Sequence, residues 1–573
     1  MKRAVILSIL MVVVTMGMFA GGEGEAEGTS EVPDRVSIGT SGLTGRHLIP
    51  IWGTSSAQFV TYPLILPALT WYNDEMDPVP HLADSIDVND DATSYTFRLP
   101  DNARWSDGEP LTAHDVYFTY KLAVDDAFTD TAWRRNFGGI QGMAEYTEGS
   151  AEEISGISVI DDHTVKMDLT SPDSSFLHNT NLGILPRHVL EDVAPEDLGA
   201  HSYANAPTVT SGPYDFVEYR EGQFIHMQRK EDYWGQEAQI QDVFVVMLDS
   251  EATRLAQLAA GELDITLIPP GEVERFERSD AIEVETGEGI GYLVTHVDAR
   301  SQGWIDRQNA PQSEGGAGGN LDGSTIEKEI KPYLQEVEFR QALAYAIDID
   351  AMIDVVADGF ARPIYSPIFG PSWAINDDLN QYERDVETAR SLLQEAGVEF
   401  DEAGNALWEG EQIVLTMLSS ISERDRKIAE FLQQQFGDIG IQLELRAVTS
   451  SAFLTSAIGG DGDLVVNAGG RFGADPSLAG DFYTTGAGWA RLVMGYSNPE
   501  FDQLMERGRA SGEPSVRAEY YHQASAILNN ELPSLFFMSP ATIIGRDHRL
   551  MGVRPTADVG YVTWNISEWY YSE

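Results

Sequence analysis

Polar and apolar residues alternate along Ser94–Leu99 (SYTFRL), which is the period of a β-strand with one buried face. Turn-forming residues stand on both sides of it, Asn89–Asp91 before and Pro100–Asn102 after. A second pattern begins at Thr112, a good helix N-cap with Asp115 three residues later, and continues with apolar residues at helical spacing, Val116, Phe118 and Leu122. The segment therefore predicts a strand, a turn and an amphipathic helix.

Strand and helix patterns also alternate along the rest of the chain, without a repeat period. The predicted strands are Val36–Thr40, the wholly apolar run Val243–Leu248, which is typical of a central strand flanked by helices, and Asp264–Leu267. The predicted helices are Thr253–Ala260, Glu387–Ala396 and Asp425–Phe436. Gln302–Ser324 is rich in Gly, Asn and Ser and predicts a loop. With 573 residues, two or three α/β domains are expected.

The segment Val79–Tyr120 carries a recognisable signature, VPHLADSIDVNDDATSYTFRLPDNARWSDGEPLTAHDVYFTY. It resembles a signature of the extracellular solute-binding proteins of family 5, the peptide and nickel type that feed ABC importers. The shared positions are Leu82, Ala83, Asp91, Tyr95, Phe97, Leu99, Trp105, Asp107, Gly108, Ala113, Asp115 and Val116.

Seven further segments resemble the same family, in the family's order. They are Val159–Val165, Leu185–Leu190, Ser211–Tyr214, Tyr233–Gly235, Thr253–Ile265, Phe339–Asp348 and Tyr496–Asp502. The resemblance thus covers nearly the whole chain.

This resemblance implies the larger version of the type II periplasmic binding protein fold, with two α/β lobes, a hinge and an extra domain inserted in lobe I. Mapped onto the chain, lobe I comprises residues 32–58, 200–289 and 531–573; the inserted domain is 59–199 and lobe II is 290–530. The resemblance further implies that a solute is held in the cleft when the lobes close, and that no bond is made or broken.

The N-terminus predicts secretion. Lys2-Arg3 precede an apolar stretch, Ala4–Phe19, and small residues follow at Ala20-Gly21-Gly22, so residues 1–20 predict a signal peptide. An uncleaved signal anchor is the alternative. Residues 21–31 are rich in Gly and Glu and predict a disordered linker. The chain has no Cys, which excludes disulfides and a Cys-anchored lipoprotein. The expected location is periplasmic or extracellular.

The net charge of −54 is extreme. It indicates either adaptation to high salt, where counterions screen the self-repulsion, or an acidic protein of ordinary habitat. In either case the surface should repel nucleic acid, so no nucleic-acid partner is expected.

A ligand anchor is expected near Asp475. In peptide-binding members of the family, a segment resembling "gWcADYxdPxxfl" supplies an Asp that pairs with the α-ammonium of the ligand. The corresponding stretch here is Asn467–Ser477 (NAGGRFGADPS), which lacks the Trp and keeps a single Asp. Asp475 is either that anchor or a turn residue before Pro476. Arg471 places a cation close by and favours an anionic or hydroxyl-rich solute.

Three tryptophans lie in loop-like sequence, Trp52, Trp373 and Trp489. Aromatic faces on cleft loops suit sugar rings or peptide side chains, and the alternative is a Trp that packs a loop onto the core.

No catalytic or metal motif stands out, so no enzyme, cofactor or metal site is predicted. Asp87–Asp91 imitates the start of a calcium loop but has Ala92 where Gly is needed. The leading hypothesis is a monomeric receptor that delivers an oligopeptide to an ABC permease with cytoplasmic ATPases. An oligosaccharide ligand, a sensory receptor and a secreted hydrolase remain the alternatives.

Overall fold

The computed structural model describes residues 34–42, 47–52, 55–128, 133–309, 326, 328–469, 474–556 and 559–572. The predicted signal peptide, residues 1–20, and the predicted linker, residues 21–31, lie outside these ranges. Among the described helices, none combines the length and apolar character of a bilayer-spanning segment.

A seven-stranded mixed sheet organises the first body of the molecule. Its strands, in spatial order, are Ile282–Gly287, Thr542–Asp547, Ile265–Leu267, Arg35–Thr40, Asp242–Met247, Phe224–Arg229 and Tyr214–Arg220. The strand Arg35–Thr40 pairs in parallel with Asp242–Met247 and Ile265–Leu267, the two neighbours that the sequence also predicts as strands.

A four-stranded antiparallel sheet packs on the same core. Its strands, in order, are Ser85–Val88, Ser94–Arg98, Thr164–Asp168 and Ile157–Asp161. Tyr95 and Phe97 are buried, as the alternation predicts. The helix Ala113–Ala123 begins with the predicted capping box, in which the Thr112 N–H donates to Asp115 Oδ2 at 2.8 Å. The two sheets share one hydrophobic core and together form the first body, the described residues up to 289 and from 542.

A six-stranded sheet organises the second body, the described residues from 290 to 540. Its strands, in order, are Ala361–Pro363, Ser534–Pro540, Tyr292–Val297, Leu464–Gly469, Val414–Ser420 and Gln442–Val448. Helices cover it and contribute to a separate core.

Two short segments cross between the bodies. One joins Ile282–Gly287 to Tyr292–Val297, and the other joins Ser534–Pro540 to Thr542–Asp547. The second crossing is therefore at Ala541, beyond the boundary after residue 530 that the sequence suggests, because Ser534–Pro540 pairs with strands of the second sheet.

The two crossing segments touch each other. Ser539 Oγ donates to the carbonyl oxygen of Gly289 at 2.8 Å. A Cβ at Gly289 would lie 1.7 Å from the carbonyl oxygen of Pro540, so only glycine permits this approach of backbone to backbone. The pair of crossings forms the hinge between the bodies.

Helices and short strands complete the described structure. The α-helices are Ser56–Ile65, Ala113–Ala123, Trp133–Asn136, Met143–Thr147, Arg187–Leu190, Ser202–Asn205, Glu251–Ala259, Val273–Glu277, Gln302–Asn309, Val337–Tyr345, Ile349–Ala357, Val386–Glu395, Glu423–Asp438, Ser450–Gly459, Gly480–Tyr483, Pro499–Arg509 and Pro514–Glu531. The 3₁₀ segments are Pro50–Trp52, Asp126–Phe128, Phe176–Asn179, Pro195–Ala200, Pro270–Glu272, Pro332–Gln335, Ser372–Ala374, Pro476–Ala479 and Val559–Glu568, and Ala490–Met494 is a π-helix. The minor strands are Thr70–Tyr72 with Pro78–Pro80, Glu399–Phe400 with Ala406–Trp408 and Glu411–Gln412, and Leu550–Met551 with Tyr570–Tyr571.

The prediction of a loop over Gln302–Ser324 is wrong for its first residues. Gln302–Asn309 is a helix, where the composition of Gln302–Ser324 predicts a loop. The helix forms because Ile305 is buried and the indole N–H of Trp304 donates to the Arg491 carbonyl at 2.9 Å. Residues 310–325 lie outside the described part of the chain.

The net charge of −54 predicts that salt stabilises this fold. Raising KCl from about 0.1 to about 2 M at pH 7.5 should raise Tm, because a Debye length of about 3 Å at 1 M screens repulsion among surface carboxylates. The gain should shrink as the pH is lowered toward the sequence pI of about 4.3, where the repulsion is smallest. A Tm that is independent of KCl at pH 7.5 would contradict this expectation.

Candidate functional site

A cavity of about 540 Å³ lies between the two bodies, against the first crossing segment. This volume is in the range of small-molecule binding sites. The first body and the crossing contribute Asp74, Glu75, Asp77, Thr286–Ile290 and Arg554–Pro555, and the second body contributes Arg362, Phe369–Ser372 and Ile375. Since both bodies supply walls, rotation about the hinge would open or close this cavity.

A larger groove of about 860 Å³ has a different character. It is lined by Tyr345 and the single segment Leu379–Thr388, all in the second body. Movement of one body against the other cannot enclose a solute there. The cavity between the bodies is therefore the better candidate site.

Three carboxylates form one wall of the cavity. They belong to the turn between Thr70–Tyr72 and Pro78–Pro80, where Asn73 Oδ1 accepts the N–H groups of Glu75 at 3.0 Å and Asp77 at 2.8 Å. This fixes the turn backbone and leaves the side chains of Asp74, Glu75 and Asp77 without a hydrogen bond or ion pair to another described residue. Partial burial, then the charges of Glu75 and Asp475, raise the pKa of Asp77. A cationic group in the cavity would relieve this repulsion.

Two arginines bring positive charge to the same cavity. The Arg362 guanidinium lies over the Phe369 ring at 5.4 Å, and its Nη2 is 3.9 Å from Glu288 Oε2. The Arg554 guanidinium lies over Trp564 at 4.3 Å, and its Nη2 donates to both Glu568 oxygens at 2.9 and 2.8 Å. The cavity thus offers both signs of charge to a solute.

Asp475 is buried in the second body. Both of its carboxylate oxygens accept from Arg517 Nη2, at 2.9 and 2.8 Å, and Oδ1 caps the 3₁₀ turn Pro476–Ala479 by accepting the Ser477 N–H at 2.8 Å. Burial opposes ionisation, but the charges of Arg517 and His178 and the hydrogen bonds from Ser477 together outweigh it, so the pKa of Asp475 is lowered. The cation partner of Asp475 therefore comes from this chain.

The predicted tryptophans lie in three different places. Trp373 stacks under the Arg517 guanidinium at 4.9 Å, which brings it together with Asp475. Trp489 packs at 4.8 Å from the His296 ring, and Trp52 packs against Phe128 at 5.1 Å in the first body. The three tryptophan rings and Asp475 are not among the residues that line the 540 Å³ cavity. Trp373 is next to it in the chain, because the preceding residue, Ser372, is a lining residue. Arg471 lies outside the described residues.

Sequence patterns do not single out the acidic turn or the two cavity arginines as site residues. The signal was present in Asn73–Asp77 (NDEMD), an acid-rich turn directly before the family signature. Arg362 and Arg554 carry no local signal, since only the fold brings them to one cavity. Within the described residues, no group of three or more His, Asp or Glu side chains is placed to hold a metal ion.

Two α/β bodies, two crossing segments and a cavity between them define the type II periplasmic binding protein fold, the class that the sequence predicts. The family model for bacterial extracellular solute-binding proteins, family 5 (middle region), matches residues 77–491, more than half of the chain. This chain belongs to that family.

Individual relatives and solved structures agree with this assignment. The dipeptide-binding protein of Escherichia coli strain K12 is 25% identical over 476 residues, 80% of each chain. The substrate-binding protein CtaP of Listeria monocytogenes superposes with a TM-score of 0.76 at 24% identity, over 95% of this chain and 100% of that one. NikZ of Campylobacter jejuni, solved with Ni(L-His), superposes with a TM-score of 0.71 at 21% identity, over 94% of this chain and 99% of that one. These relatives are binding proteins rather than enzymes.

Proposed function

We propose that this chain is the receptor of an ABC importer that captures an oligopeptide between its two bodies outside the cytoplasmic membrane. Hinge closure encloses the peptide, and the loaded protein presents it to a permease with cytoplasmic ATPases, acting as a monomer. The relative named as a dipeptide-binding protein in Escherichia coli supports a peptide as the ligand class.

The acidic turn at the cavity is the observation that carries this proposal. A peptide in solution bears an α-ammonium group, and a carboxylate in a shielded cavity binds such a group by a charge-assisted hydrogen bond. Asp77 has a fixed backbone, a raised pKa and no competing partner among the described residues. Asp475, by contrast, already has an ion-pair partner in Arg517. We therefore assign the ammonium anchor to the acidic turn, with Asp77 as its main member.

The cavity arginines complete the assignment. Among the described residues, the one carboxylate that pairs with the Arg362 side chain is the distant Glu288, at 3.9 Å, so Arg362 has capacity to bind a ligand carboxylate or carbonyl oxygen. Arg554 is held by Glu568 and stacked on Trp564, which suits a fixed wall of the cavity. A cavity lined by both carboxylates and guanidinium groups should bind a zwitterionic solute in preference to a neutral sugar.

Asp77→Asn should weaken the binding of Ala-Ala-Ala by about tenfold or more, because a charge-assisted hydrogen bond contributes about 1.5–3 kcal/mol. N-acetylated Ala-Ala-Ala, which lacks the ammonium, should bind weakly and equally to both proteins. Calorimetric titration of both peptides measures these affinities.

Asp84→Asn is the matched control, because Asp84 is an exposed carboxylate of the same body that lies outside the cavity. It should leave both affinities unchanged. Equal binding of the free and acetylated peptides to the unmodified protein would refute the ammonium anchor. Binding of oligosaccharides alone would assign the cavity to the alternative ligand class.

A further inference from the structure

One segment of the first body contacts the second body away from the hinge. The N–H of Ser174 donates to the Arg509 carbonyl oxygen at 2.9 Å, and His178 Nε2 lies 3.8 Å from Asp475 Oδ2. The 3₁₀ turn Phe176–Asn179, which carries His178, is fixed to the first body, because Tyr72 Oη donates to the His178 carbonyl oxygen at 2.6 Å. The His178 contact therefore joins two bodies that move relative to each other.

The His178 side chain is buried in this contact. It is 9% exposed, its ring lies 5.7 Å from the Tyr72 ring, and its Nδ1 has no hydrogen-bond partner among the described residues. The charged groups that face it are Asp475 and Arg517 from the second body and Asp173 from its own segment. Burial and the repulsion of the Arg517 charge together outweigh the attraction of the two carboxylates and lower the pKa of His178.

Separation of the bodies would remove this burial. With Asp475 and Arg517 withdrawn, His178 would face water, and its pKa would return toward the ordinary value of 6.5. Because the pKa of His178 is lower when the bodies are joined than when they are separate, the joined state is favoured while His178 is neutral. The stabilisation is complete well above pH 6.5 and is lost progressively as the pH falls below 6.5.

We propose that His178 is a positioning residue for closure: the neutral imidazole lets the two bodies meet around the solute, and its protonation separates them and releases the solute. This rests on the proposed function in one respect, namely that the cavity between the bodies holds the solute. The role of His178 adds release of the solute at acidic pH, which neither the fold nor the cavity requires.

The closure itself can be measured without any ligand. The chain has no Cys, so Ile160→Cys in the first body and Leu454→Cys in the second, both exposed, give a unique pair for two pH-insensitive fluorophores. Resonance energy transfer between them should change from pH 7.5 to pH 5.5 in the parent protein. The energy transfer should change much less in His178→Gln, because the glutamine side chain does not titrate. If His178→Gln lowers the Tm of the protein, His178→Asn is the second variant.

His114→Gln is the matched control. His114 Nε2 also lies 3.8 Å from an Asp oxygen, that of Asp162, but both residues belong to the first body and are exposed. This variant should keep the pH response of the parent. An equal pH response in the parent and both His178 variants would overturn the proposal.

A binding measurement separates this proposal from the proposed function. The Kd of Ala-Ala-Ala should rise by up to about tenfold from pH 7.5 to pH 5.5 through His178, since pH 5.5 is about one unit below the ordinary pKa of a histidine. That part of the rise should be missing in His178→Gln. If no peptide binds at either pH while the energy-transfer response depends on His178, the peptide assignment fails and the closure contact stands.

Discussion

Asp298→Asn will lower the free energy of unfolding by about 3–5 kcal/mol, the usual cost of removing one partner from a buried ion pair. Asp298 accepts from Arg300 at 2.9 and 2.6 Å and lies 2.8 Å from Lys328 Nζ, and all three side chains are almost completely buried in the second body. The two cations hold the pKa of Asp298 low despite its burial. The neutral amide of the variant would leave the buried charges of Arg300 and Lys328 without enough negative charge to balance them.

The effect should be visible in urea denaturation at pH 7.5. Lys328 also contacts Asp463, 3.3 Å away, so among the described residues Asp463 would be the carboxylate left to balance both cations in the variant. Glu274→Gln is the control, because the Arg278–Glu274 pair is 71% and 80% exposed and water screens it. An Asp298→Asn protein as stable as the parent would contradict the buried network.

Asp475→Asn is the second large effect, and it distinguishes the two interpretations of Asp475 that the sequence leaves open. If Asp475 is the ion-pair partner of Arg517, the variant leaves the Arg517 guanidinium buried without its counter-ion. The variant should then lose about 3–5 kcal/mol of unfolding free energy. The preference for Ala-Ala-Ala over its acetylated form should remain, because the ammonium binds elsewhere.

A peptide anchor at Asp475 predicts the reverse outcome. Stability would change little, and the preference for the free amine would disappear. Arg517→Met and the double variant complete the test, because the double variant removes both charges. It should recover part of the loss of Asp475→Asn if the two side chains form a pair.

Local patterns account for the parts of the fold that the sequence predicts correctly. The strand Ser94–Arg98 and the capping box of Thr112 and Asp115 are encoded within a few residues. The helix Gln302–Asn309 is not, because its polar composition resembles a loop and its stability comes from contacts with the distant Arg491. Patterns of hydrophobicity do not register such long-range contacts.

The candidate site is predictable only in part for the same reason. The sequence indicates a cleft between two lobes, through its resemblance to a family. The partner of Asp475 is Arg517, on a helix far along the chain, and no spacing rule connects them. The cavity gathers Asp77, Arg362 and Arg554 from three separate stretches, so their proximity becomes visible only when the two bodies are placed together.

Thermal unfolding of the protein in molar KCl with pooled ligands tests the central claim most directly. One pool holds di- to pentapeptides, a second holds α- and β-linked oligosaccharides, and a third holds nickel and zinc chelates. A peptide at about 100 times its Kd should add about 2.7 kcal/mol to the stability and raise Tm, and this gain should be smaller in Asp77→Asn. A rise in Tm with the sugar or chelate pool alone would contradict peptide capture by the acidic turn.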